Sequence, residues 1–271
     1  MVPRIRPPAV AGLFYPGDAV ELRATIDGFL AQARPADAPA RVVKAIVAPH
    51  AGYVYSGPIA ASAYAALRAG ATLVRRVVLL GPTHRVYVRG LALPDVDAFE
   101  TPLGIVRLDL DAIAALADLP QVVTSAAAHA REHSLEVHVP FLQRLFGDRF
   151  LLVPLAVGEA SPDEVAEVIE RLWGGDETRI VISSDLSHYL PYGEARRADL
   201  ETARHIEALE PVAPDEACGA RPLNGLLALA RRRGLTVELL DLRSSGDTAG
   251  KCDEVVGYGA FAVREPTRGA S

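Results

Sequence analysis

An α/β fold with a mostly parallel central sheet covered by helices on both faces is what this 271-residue sequence predicts. Three observations predict it. Apolar, β-branched runs recur at wide spacing, amphipathic helical patterns lie between most of them, and the runs are apolar nearly throughout, as strands covered on both faces are. Half the residues are apolar, enough for a sizeable core, and the chain reads as one domain over 1–271.

The elements follow in order. An early helix covers about residues 18–33, and a Pro/Ala link, QARPADAPAR, covers 32–41. Strands are predicted at Val42 to Val47, Arg76 to Leu80, Phe150 to Val157, Thr178 to Ile182, Thr236 to Leu242 and Val255 to Val263. Helices are predicted at Ile59 to Leu67, Leu110 to Leu116, Pro162 to Leu172, Arg196 to Leu209 and Leu223 to Arg232. Gly90 to Leu93 and Ile105 to Leu108 flank PDVDAFETPLG and read as a short antiparallel ribbon insertion. In AHAREHSLEVHVPFLQRLF the apolar residues Leu135, Val139, Leu142 and Phe146 recur at helical spacing.

Composition narrows the function. A net charge of −6 gives no electrostatic footprint for nucleic acid, and the basic run Arg231–Arg233 reads as a solvated helix end. Two cysteines, Cys218 and Cys252, are too few for a disulfide framework and lack a zinc-binding CxxC. With no apolar run of membrane-spanning length and no charged-then-apolar opening segment, the expectation is a cytoplasmic protein with no membrane partner.

Chemistry concentrates just past the carboxyl ends of four predicted strands. AIVAPHAGY ends on His50, VVLLGPTHR on His84, IVISSDLSHY on Asp185 and His188, and LLDLRSSGD on Asp247. Ligands of open α/β sheets bind at that edge, so the four loops converge on one crevice. His50, His84 and Asp247 would form a two-histidine, one-carboxylate set, which suits iron, zinc, manganese or copper and leaves coordination positions open. His129 and His133 are four apart, but in His-Ala-Arg-Glu-His the glutamate is misplaced for a zinc-protease helix, and the serine of SSDLSH lacks a GxSxG elbow. Tyr53, Tyr55, Tyr189 and Tyr192 gather around the same loops.

Six segments, PAVAGLFYPGD, APHAGYVYSG, LLGPTHR, EHSLEVHVPFLQ, SSDLSHY and SSGD…VVGYGAFAV, stand in the order and spacing of the Memo family, which the chain resembles over about residues 7–263. The resemblance implies a LigB/Memo-like fold, similar to that of the class III extradiol dioxygenases. Those are non-heme iron enzymes that cleave aromatic rings beside a hydroxyl. It implies His50 and His84 as metal ligands and His188 as acid/base. Asp247 is the third ligand, with Cys252 as the alternate. Asp185, Glu132 and His133 then support the chemistry: Asp185 fixes the tautomer of His188 or His84, and Glu132 and His133 orient ligands or substrate. Tyr53, Tyr55, His138 and Tyr189 line the substrate pocket. The metal expected is Fe(II), with copper and zinc as alternatives, and the substrate a small phenol or enol. Partners implied are AMMECR1-like and radical S-adenosylmethionine proteins. The competing class is a non-catalytic signalling module that binds peptide or phosphopeptide in the same crevice, with Arg85 and Arg89 as its nearby cations.

Overall fold

The computed structural model describes residues 3–33 and 42–266, so the link predicted over 32–41 lies, from residue 34 on, outside the described residues. In chain order the elements are β1 (Ile5–Arg6), α1 (Ala19–Gln32), β2 (Val43–Ala48), α2 (Tyr53–Ala66), β3 (Arg76–Pro82), β4 (Leu91–Leu93), β5 (Ala98–Thr101) and β6 (Gly104–Arg107). There follow α3 (Leu110–Ala114), β7 (Val122–Thr124), α4 (Ala126–Ala130), α5 (Val139–Phe146), β8 (Leu151–Val157), α6 (Pro162–Arg171) and β9 (Thr178–Ser183). The chain ends in β10 (His188–Leu190), α7 (Tyr192–Glu207), α8 (Ala220–Arg233), β11 (Thr236–Ser244) and β12 (Val255–Arg264).

Strand alternation sends successive side chains to opposite faces of the sheet, and here both faces are buried. Ile46 of β2 and Val77 and Leu79 of β3 face a layer built on Leu22, Ile26, Ile59, Phe141 and Leu142 from α1, α2 and α5. Their neighbours Ala45, Val47, Val78 and Leu80 face Val165, Ile169, Ile206, Leu223 and Leu226 from α6, α7 and α8. The large sheet runs β10-β12-β2-β9-β3-β8-β4-β7, with β11 also paired to β12. Its centre, β2-β9-β3-β8, is parallel. Antiparallel strands flank it, β12 against β2 on one side and β4 against β8 on the other. Among the described residues no helix is long and apolar enough to cross a membrane.

The antiparallel ribbon is present, but its partners are β5 and β6, which pair with β1 in a separate three-stranded sheet. Residues 91–93 join the large sheet as β4 instead, because Gly90, at φ 90, turns the chain against Gln121 with no room for a Cβ. The predicted helix after residue 58 begins earlier, at Tyr53, and carries Pro58 inside it.

Parallel register sets the site. Ala48 pairs with Ser183 and Leu80 with Ile182, so β2, β3 and β9 finish level with one another. His50, His84 and Asp185 each lie two residues beyond those strand ends.

Candidate metal centre and its cleft

The cleft over these strand ends has a volume of about 610 Å³ and is lined by Phe14, His50, Tyr55, His84, His133, Asp185, His188 and Tyr189, among others. Within it, one nitrogen each of His50, His84 and His133 lies within 4.8 Å of the other two.

Each imidazole is held differently. Ser183 donates its one hydroxyl proton to the Ser134 carbonyl at 2.6 Å, so its oxygen accepts from His50 Nδ1 at 2.7 Å. That leaves His50 Nε2 as an acceptor, and it takes a weak hydrogen bond from the Cys218 thiol at 3.3 Å. His84 Nδ1 donates to Glu132 Oε1 at 2.8 Å, which frees its Nε2 in the same way. Burial alone would raise the Glu132 carboxyl. Hydrogen bonds from the His84 side chain and from the backbone of His84 and Ser134 outweigh it and hold it at about 2.

His133 packs between Phe14 and the ring of His84, with both ring centroids 4.7 Å away, and its Nδ1 is buried without a hydrogen bond. Burial keeps it neutral, with its pKa lowered to about 4, and burial holds His50 well below the ordinary histidine value. The three imidazoles converge as a nitrogen donor set, with Nδ1 of His50 and of His84 fixed as hydrogen-bond donors.

The third imidazole arrives by close packing. A Cβ on Gly81 would lie 2.9 Å from Ser134 Oγ and 3.1 Å from Ser183 Cβ, so glycine lets the 133–135 segment rest on the end of β3. Arg6 pins that segment from outside, donating to the carbonyls of His129 and Glu132 and pairing with Glu136 at 2.6 Å. Glu136 in turn accepts from the backbone of Ala9 and Val10 and from Tyr15. The segment PAVAGLFYPGD is thus a brace for the site, and its Phe14 forms one wall.

Several predicted roles are corrected. His133, expected to orient ligands or substrate, is the third member of the cluster, and Asp247 is not a member. Asp247 spends both oxygens on Tyr192, at 2.6 Å, and on the backbone and hydroxyl of Ser244, closing the turn after β11 and lining a different pocket. The alternate, Cys252, is exposed and outside the cluster, whereas the cysteine that does reach the site is Cys218. Asp185 holds neither His188 nor His84 by a hydrogen bond. Its Oδ1 accepts from the His50 backbone at 2.7 Å, and burial raises its pKa to about 7. His188 is oriented by the Leu186 carbonyl at 2.8 Å and lines the cleft together with Tyr55 and Tyr189. Tyr53 and His138 do not line it. Tyr53 donates to the Val137 carbonyl and His138 meets the Tyr64 hydroxyl, both deep in the core. Sequence reasoning missed Ser183, Ser134 and Cys218; the serine of VISSD at a strand end was the only available signal.

Comparison with known proteins gives the family. Residues 6–262 match the family described as Memo-like protein. A MEMO1 family protein of Methanopyrus kandleri is 36% identical, with 96% of this chain and 99% of that one aligned. One from Ignicoccus hospitalis is 37% identical over 97% and 99%, and one from Aquifex aeolicus 36% over 94% and 97%. With motifs, fold and whole-length relatives in agreement, the chain belongs to the Memo-like family.

Proposed function

We propose that the protein is a metal-dependent oxidoreductase of dioxygenase type that acts on a small phenol or enol. The observation that carries this reading is the trio of imidazoles at the level strand ends, with Nδ1 of His50 and of His84 fixed by Ser183 and Glu132 so that each Nε2 is left as the donor to a metal. The all-nitrogen chemistry of the set, with His133 Nδ1 buried, unbonded and 3.3 Å from the Glu132 carboxylate, fits a transition metal such as iron, copper or zinc, Fe(II) being the one the reading favours. When bound, Fe(II) supplies a Lewis-acid centre for the substrate oxygen and an electron source for O₂.

The remaining work falls to this chain's own residues. Phe14, Tyr55 and Tyr189 give the cleft aromatic walls for an aromatic or enolic substrate. His188 presents its unengaged Nε2 at the mouth, where it takes the hydroxyl proton of the substrate and later returns it. Asp185 lines the cleft beside His50, accepting the His50 backbone N–H through Oδ1 while burial raises its pKa to about 7.

The test is O₂ uptake by protein purified anaerobically and loaded with Fe(II), over a panel of catechols and enols. A substrate-dependent rate that falls by about 10²-fold or more in His188→Ala, with iron content unchanged, supports the reading. Iron that binds without any substrate-dependent O₂ uptake counts against it.

A further inference from the structure

Beside the main cleft, and sharing His84 with it, lies a second pocket of about 290 Å³ lined by Thr83, Arg85, Tyr87, Glu159 and Arg221 among others. Two cations meet there from distant parts of the sequence: Arg85 from the loop after β3 and Arg221 from the first turn of α8. Other arginines of these two segments are paired, Arg89 with Glu164 and, in the last turn of α8, Arg232 with Asp163 and Arg233 with Glu170. Among the described residues neither Arg85 nor Arg221 makes a hydrogen bond or an ion pair.

Both guanidiniums are exposed and open to an anion from solution. Arg221 lies at the positive end of the 14-residue α8, whose N-cap, Gly219, provides no side-chain cap. Glu159 also lines the pocket, but it makes no ion pair with either arginine: its carboxylate accepts from the Tyr87 hydroxyl at 2.6 Å. Arg85 is close enough to oppose protonation of His133, which places its charge at the rim of the metal cleft.

We infer that Arg85 and Arg221 form an anion subsite that binds a carboxylate on the substrate while the rest of the molecule reaches past His84 into the three-histidine cleft. A guanidinium pair suits a planar carboxylate through parallel N–H donors, and two such donors fix the direction in which the substrate enters. The inference rests on the proposed oxidoreductase reading for the role of the bound molecule, but its test does not use the metal.

The probe is benzoate, compared with its neutral counterpart benzamide, titrated by calorimetry into metal-free protein at pH 8. The wild type should prefer benzoate by about tenfold or more, and the R85Q/R221Q variant should bind the two equally. Both arginines are exposed and unbonded, so the variant should keep the wild-type thermal midpoint. Retention of benzamide binding would confirm that the cleft is intact. No benzoate preference in the wild type, or a preference that survives in the variant, overturns the inference. Failure of the metal reading would appear separately, as absence of metal uptake by the histidines.

Discussion

Replacing Glu132 by glutamine tests how the site is held together. The carboxylate accepts four hydrogen bonds: from His84 Nδ1 and N at 2.8 and 2.7 Å, and from the backbone of His133 and Ser134 at 3.0 Å each. A glutamine keeps one acceptor oxygen and aims an amide NH₂ at the remaining donors, so at least one buried N–H is left facing another donor. Held at about 2 against an ordinary 4.5, ionisation of the carboxylate favours the fold by on the order of 3 kcal/mol at pH 7. The sign follows from the depressed value: the contribution is complete above about 4.5 and is lost as pH falls through about 2. Urea denaturation of wild type and Glu132→Gln at pH 7 and pH 3 should therefore show a gap of roughly 3 kcal/mol that narrows in acid. Metal affinity should also drop 10- to 100-fold, because His84 loses its orienting partner. A gap that is absent at pH 7, or that is the same at pH 3, would refute the reasoning.

Ser183→Ala removes the acceptor of His50 Nδ1–H and should cost about 1–3 kcal/mol together with roughly tenfold in metal affinity, both readable in one calorimetric series. Asp185→Asn retains an acceptor for the His50 backbone but not the charge. Because the Asp185 pKa is raised to about 7, its stabilising contribution is present in acid and lost as pH rises through 7. The variant should gain on wild type between pH 5 and pH 8 by on the order of 2 kcal/mol in urea melts, and a pH-independent difference would contradict the assignment. Arg6→Met breaks three bonds to the 129–136 segment and leaves Glu136 buried without its counter-charge, so it should lose several kcal/mol and fold poorly, as a thermal melt would show.

The strand ends were legible because parallel strands covered on both faces leave an unmistakable apolar run, and β2, β3 and β9 stop two residues before His50, His84 and Asp185. Thus His50, His84 and Asp185 could be read directly. His133 was harder. The spacing from His129 suggests one helix face, but α4 ends at Ala130, and the chain then folds over Gly81, sending His129 to the Ala92 carbonyl and His133 to the cleft. Asp247 misled for the opposite reason. It follows a strand as the others do, yet β11 is an edge strand antiparallel to β12, and its end does not open onto the level edge of the parallel core. Helix α2 was read short because Pro58 marks a stop by propensity. The buried face from Tyr53 to Tyr64 outweighs the single hydrogen bond that proline forgoes.

The central claim is that the third histidine, and not the carboxylate after β11, completes the metal centre. Fe(II) affinity measured anaerobically by chelator competition, for wild type, His133→Ala and Asp247→Ala, tests it most directly. The account predicts near-stoichiometric binding in wild type and Asp247→Ala and a loss of 10²-fold or more in His133→Ala, roughly the effect of removing one of three ligands. Full binding in His133→Ala with binding abolished in Asp247→Ala would contradict it.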